Sequence, residues 1–156
     1  MADSFIPLTI DEYARQAALT DQRKGKHALS FSMLGVFGEA GSLLSEVKKK
    51  QRDKASYLGY AEAVSEELGD VLWYLASIAR RSGIPLSTIA ANAMDATRLS
   101  NAADDSLTFH AMQPAHIPMT TEPSAQFEHR LLALAGQIGL LVNEYQSGAL
   151  KGQAKM

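Results

Sequence analysis

The chain has 156 residues, 46% of them hydrophobic, a formal net charge of -2 and no cysteine. That length suits one ordinary domain with a sizeable core, and near-neutral charge gives no ground for general nucleic-acid binding. Without cysteine there are no disulfides or thiolate metal sites, so any metal must be held by oxygen or imidazole. No apolar run reads as long enough to cross a membrane. Met1 to Thr9 lacks the pattern of a secretion signal, and the cytoplasm is the expected compartment.

Strand signals are nearly absent, whereas helical signals are plentiful. Thr9 to Glu12 reads as a capping box, with Thr9 as N-cap and Glu12 reaching back, opening a helix to about Thr20. Asp21 to Lys26 reads as a loop. A second helix is expected from about Ala28 to Lys50, with Leu34, Phe37, Gly41, Leu44 and Val47 at helical spacing and Met33, Val36 and Leu43 widening the apolar surface. Gly35, Gly38 and Gly41 lower its helix propensity, a cost that close approach of a neighbouring helix or a ligand would offset.

A third helix is expected from about Tyr60 to Arg81, with Leu68, Val71, Leu72, Leu75 and Ile78 as its core stripe and Gly83 as its terminal cap. The fourth runs from about Leu86 to Leu99, with Ile89, Ala90, Ala93 and Met94 inward. Residues 100–123 carry three of the five prolines and read as a linker. Ser124 then caps a fifth helix over Ala125 to Ser147. Domain organisation is thus 1–99, a linker at 100–123, and a C-terminal helical unit at 124–156. Gly38 to Glu46 aligns without gaps to Gly136 to Glu144, which suggests a degenerate partial repeat or a piece of a longer two-repeat protein. Gln137 replaces Glu39 in that copy, so no metal is placed there.

Chemistry concentrates on Glu39, Glu46, Glu67 and Asp70. Glu67 and Asp70 are three apart, and Glu39, Ser42 and Glu46 are spaced by three and four, so each set shares one helix face. Carboxylates on two facing helices suit magnesium, which wants hard oxygen ligands and keeps several waters. Such an ion neutralises phosphate charge and activates water. Acidic residues at this spacing are also common on plain solvated faces. Against that, Val71 to Leu75 makes the acidic face border an apolar, aromatic one, where a charge needs a partner. His27, His110, His116 and His129 show no ligand spacing and read as structural or exposed. No P-loop or nucleophile elbow is present.

Gly38-Glu39-Ala40-Gly41 with Val47-Lys48-Lys49, followed by Glu66-Glu67-Leu68-Gly69-Asp70-Val71-Leu72-Trp73-Tyr74-Leu75, resembles the signature of MazG-like nucleoside triphosphate pyrophosphohydrolases. The resemblance covers about residues 8 to 99. It implies an all-α antiparallel bundle, dimeric or tetrameric, that cleaves a nucleoside triphosphate between the α and β phosphates to a monophosphate and pyrophosphate. It further implies magnesium, with manganese as a substitute, held by Glu39, Glu67 and Asp70 with Glu46 as a further ligand, and Glu46 and Glu39 serving the attacking water. Lys48, Lys49, Arg52, Tyr74, Asn92 and Arg98 become candidates for nucleotide contact. Trp73 is read as core, whereas Tyr74 stands open between core and base stacking.

Two positions depart from the pattern. Ser42 replaces the second Glu of the first motif, and Asp95 stands where a lysine is usual, with Arg98 as its replacement. Either Glu46 takes over at Ser42, or a water bridges there, or metal binding is weakened. The rival expectation is therefore a catalytically weak nucleotide-binding or regulatory module, and a third is a purely structural helical dimerisation domain.

Overall fold

The computed structural model describes residues 7–94, 107–113 and 123–148. Its regular elements among these residues are all helical, joined by loops, apart from one isolated antiparallel bridge between Thr9 and Thr108.

Helix α1 spans Ile10–Thr20 and opens as its sequence dictates: the Glu12 N–H donates to Thr9 Oγ1 at 3.0 Å. The reciprocal half of the expected capping box does not form. Glu12 instead pairs with Arg15 and accepts from Gln16 Nε2 at 2.7 Å, partners three and four residues on.

Helix α2 spans Ala28–Asp53, three residues past the expected end. Its stop is built by Lys50, a buried lysine whose ammonium donates to the carbonyls of Lys54 at 2.9 Å and Tyr57 at 3.3 Å. Those carbonyls turn away from the helix where Lys54 takes φ +49° and the short 3-10 turn Lys54–Ser56 begins. The buried face of α2 is Met33, Val36, Ala40, Leu43 and Val47, whereas Leu34 and Phe37 are 73% and 55% exposed. The expected stripe thus began one residue off. Both stripes have helical period, and period alone does not say on which side the neighbours lie.

Helix α3 spans Tyr60–Arg81 as expected. Val71 and Ile78 are buried, but Leu68 is 38% exposed and leaves the predicted stripe. Its end is a Schellman motif. Gly83 takes φ +71°, its N–H donates to the Arg80 carbonyl at 3.2 Å, and the Ile84 N–H donates to the Ala79 carbonyl at 3.0 Å. Helix α4 spans Leu86–Ala93 and stops short of the expected Leu99, because Met94 is already extended; positions 95–99 lie outside the described residues. Leu86 and Ala90 are its buried residues, while Ile89 is 45% exposed and Ala93 is exposed, contrary to expectation.

Residues 107–113, read from sequence as linker, dock on the body of the protein. The Ile10 N–H donates to the Leu107 carbonyl at 2.8 Å and the Phe109 N–H to the Leu8 carbonyl at 3.2 Å. A single turn, α5 (Phe109–Met112), then sets Phe109 edge-on to Tyr13 with centroids 5.4 Å apart. Helix α6 spans Ala125–Ser147, capped by Ser124 Oγ on the Phe127 N–H at 3.1 Å.

The organising contact is the antiparallel pairing of α2 with α3. Along it Glu39 faces Glu67, Gly35 faces Tyr74, and Ser32 Oγ meets Ser77 Oγ at 2.9 Å. Helix α6 covers another side of α2, with Ile138 against Met33, Val36 and Ala40, and Leu131 against Leu43 and Val47. Ala40 and Ile138 are aligned positions of the internal echo, and both are buried in the seam. One reading from sequence needs correcting: α2 with its 3-10 turn, residues 28–56, is long and apolar enough to meet the composition of a membrane span. One face of it packs on α3 and α6.

Candidate functional site

The four singled-out carboxylates lie at the α2–α3 pairing. The Glu39 and Glu67 carboxyls lie close enough across the pair to act on each other. Burial comes first in raising the Glu67 carboxyl above its ordinary value, and the adjoining Glu39 adds to it, followed by the charges of Asp70 and Glu46. Asp70, one turn along α3, is exposed. The antiparallel register creates this crowding: residues that make unremarkable acidic spacings on separate helices become one like-charged group when the helices are laid together.

Glu46 has a different setting. It is 7% exposed, with Lys49 Nζ on one carboxylate oxygen and the Tyr57 hydroxyl on the other. The Lys49 bond, then that of Tyr57, holds its carboxyl below the usual range, and Glu46 in turn pushes the Tyr57 phenol up to about 12. Glu46 is thus an oriented, ionised carboxylate rather than a ready proton acceptor. Ser42 is half-buried one turn from both Glu39 and Glu46.

Beside the carboxylates stands an aromatic wall. The Tyr74 ring lies against Gly35, where a Cβ would be 2.2 Å from its atoms. Burial first, then the Glu39 and Asp70 charges, raises the Tyr74 phenol. Tyr13 of α1 comes in from the other side, its phenol raised by burial and by Asp70. Trp73 is half-buried against the core as read, its indole N–H donating to Thr20 Oγ1 at 2.8 Å. Gly38 and Gly41, by contrast, have nothing within 4 Å of a built Cβ.

The other candidates scatter. Lys48 is exposed, Lys49 is engaged by Glu46, and Arg52 pairs with Asp53 at 2.6 Å. Asn92 is exposed on α4, and Asp95, Arg98 and His116 lie outside the described residues. Tyr57 and Tyr13 escaped sequence reasoning because their contacts with the site, across a turn and between helices, leave no local spacing signal. A separate apolar cavity of about 740 Å³, bordered by Leu29, Leu72, Leu75 and Leu141, includes none of the four carboxylates.

The donor set matches a divalent cation in kind: hard oxygens, like-charged and crowded, with Glu67 bearing the penalty. It is not preassembled, since no group of three or more His, Asp and Glu side chains among the described residues is already arranged to hold an ion. Glu39, Glu67 and Asp70 are the residues that could hold such an ion.

Comparison with known proteins locates this arrangement. Residues 29–97 match the MazG nucleotide pyrophosphohydrolase domain. This segment is similar to a MazG domain. It contains Glu39, Glu46, Glu67 and Asp70, and it begins just after the first residue of α2. A relative, the Gene 37 protein of Mycobacterium phage L5, is 40% identical over 63 residues, which is 39% of this chain and 55% of that protein. The chain thus aligns with about half the length of that curated relative. No solved structure matches the chain. The all-helical fold with α2 and α3 paired is consistent with a MazG-type fold, and the matched family model is one of nucleotide pyrophosphohydrolases.

Proposed function

We propose that this protein is a magnesium-dependent nucleoside triphosphate pyrophosphohydrolase that releases a nucleoside monophosphate and pyrophosphate. The observation that carries this reading is the contact of Glu39 with Glu67 across the α2–α3 pair, with Asp70 one turn away. Glu39, Glu67 and Asp70 would hold the cation, which when bound would neutralise phosphate charge and polarise the phosphate to be attacked. Manganese would serve as a substitute.

The chain's own residues divide the remaining work. Water gives its hydroxyl to phosphorus and its proton to a carboxylate, and the bond to the pyrophosphate oxygen breaks. Glu39, at the centre of the carboxylate group, is assigned to receive that proton. Glu46, tied to Lys49 and Tyr57, supplies fixed negative charge behind Glu67 that orients the water. Tyr74, packed on Gly35 and beside Glu39 and Asp70, lines the nucleotide path next to the phosphates. The test is pyrophosphate release from a broad nucleotide panel with magnesium or manganese. Asp70→Asn and Glu67→Gln should each abolish it, and no turnover by the unaltered protein would overturn the reading.

The engagement of both Glu46 oxygens, together with the neutral Ser42, favours one second reading: a module that binds nucleotide and turns it over weakly. Nucleotide would then raise the melting temperature without being consumed. Ser42→Glu would create activity under this reading and reduce it under the first.

A further inference from the structure

Arg23, in the loop between α1 and α2, belongs to none of the motifs. Its backbone is held from two sides: its N–H donates to Asp21 Oδ1 at 3.2 Å, and its carbonyl accepts from Arg81 Nη2 at 2.9 Å. Asp21 is itself pinned to α3, by Ser77 Oγ at 2.7 Å, Arg80 at 2.5 Å, and Arg81 at 2.7 and 2.6 Å to its two oxygens. The loop is therefore braced against the same helix that carries Glu67 and Asp70. Arg80 and Arg81 more than neutralise Asp21, so the Arg23 side chain is not drawn to it.

Instead the Arg23 guanidinium lies over the Phe31 ring, 3.9 Å from its centroid, and Phe31 lies 6.1 Å from Tyr74. Tyr74 is one turn past Asp70 on α3, about 6 Å of helix rise. Phe31, Gly35 and Glu39 follow at four-residue steps on α2. From the carboxylates outward, Tyr74, Phe31 and Arg23 thus succeed one another along one side of the α2–α3 pair. A guanidinium over a ring can keep N–H groups for phosphate, which it grips in a fork. Of the cations on the opposite flank, Lys49 is taken by Glu46 and Arg52 by Asp53.

We propose that Arg23 is a phosphate-docking residue, gripping the outer phosphates of a nucleoside triphosphate whose scissile bond lies at the carboxylates. This rests on the hydrolase reading above and supplies the phosphate-side cation that Asp95 does not.

The test is calorimetric titration, with magnesium, of an α,β-methylene nucleoside triphosphate and of the matching monophosphate. It compares the unaltered protein with Arg23→Ala, Arg23→Lys and Phe31→Leu, with the melting temperature of each recorded and steady-state kinetics run on any nucleotide that turns over. Arg23→Ala should weaken the triphosphate about tenfold or more, the size of a charge-assisted bond, and leave the monophosphate unchanged. Arg23→Lys should lose less, and Phe31→Leu should shift the same way. In kinetics KM should rise more than kcat falls. An unchanged triphosphate affinity, or equal losses for both ligands, overturns the proposal. If Arg23→Ala does not fold, Arg23→Lys and Phe31→Leu decide by the same criterion. Should the unaltered protein hydrolyse nucleotide while the variants match it, the docking role alone falls. Should it neither bind nor hydrolyse any nucleotide, the hydrolase reading falls and the docking role with it.

Discussion

Tyr74 occupies the space that a side chain at position 35 would need. Its ring atoms lie within 2.2 to 2.6 Å of where a Cβ on Gly35 would stand. This one missing methyl lets α3 lie close on α2, and it brings Tyr74 beside Glu39 and Asp70. Gly35→Ala should therefore cost about 1–3 kcal/mol, the usual range for overpacking a filled interior. Thermal unfolding would register it, at about 2–4 °C per kcal/mol for a protein of this size. Tyr74→Ala should relieve much of the loss in the double variant; if the two costs simply add, the ring does not meet position 35.

Glu67 should make the metal-free protein less stable than it could be. Its folded-state pKa lies above the ordinary value of 4.5, so the folded form binds the proton more tightly than the unfolded form. The stabilisation this gives is present below about pH 4.5 and lost as pH rises through the folded value, leaving a crowded carboxylate at neutral pH. Glu67→Gln should thus raise the melting temperature of the metal-free protein at pH 7. It should also shrink the stabilisation that added magnesium gives the unaltered protein. A lower metal-free melting temperature in the variant would contradict the burial of this group against Glu39.

Asp21 should behave in the opposite sense. Burial works against its charged form, but the hydrogen bonds from Ser77 and Arg80 and the charge of Arg81 outweigh it, so its carboxyl titrates below the ordinary 3.8. Its stabilisation is present at neutral pH and lost as pH falls through that depressed value. Asp21→Asn leaves Arg81, only 13% exposed, without its carboxylate, and should cost about 3 kcal/mol at pH 7. Chemical denaturation across pH checks this: the gap between the two proteins should be wide at pH 7 and narrow in acid below about pH 4.

Tyr57 should titrate late. The hydrogen bond to Glu46 comes first among the causes that push its phenol up to about 12. Removing the acceptor with Glu46→Ala should bring it back toward its ordinary value of 10.0. Absorbance of the ionised phenol near the alkaline end would show one tyrosine moving to lower pH, and an unchanged titration curve would mean that Tyr57 does not donate to Glu46.

Periodicity and punctuation made much of this molecule legible. Thr9, Gly83 and Ser124 mark helix ends through their own backbone and hydroxyl chemistry, so α1, α3 and α6 have the bounds their residues imply. The spacing of Glu67 to Asp70 and of Glu39 to Glu46 likewise places each pair on one face, because a helix turns by a fixed angle per residue. Which face turns inward was not local information. Leu34 and Met33 lie on stripes of equal period, and only the position of α3 and α6 selects Met33. The docking of 107–113 on α1 depends on a backbone bridge between Thr9 and Thr108, residues far apart in the chain, and a Pro-rich flank conceals it. The same holds for the site. Carboxylate spacing is written in the chain, but the contact of Glu39 with Glu67, the capture of Glu46 by Tyr57, and the bracing of Arg23 by Asp21 and Arg81 arise only when helices pack. Local chemistry decides what each helix is; long-range packing decides which charges must live together.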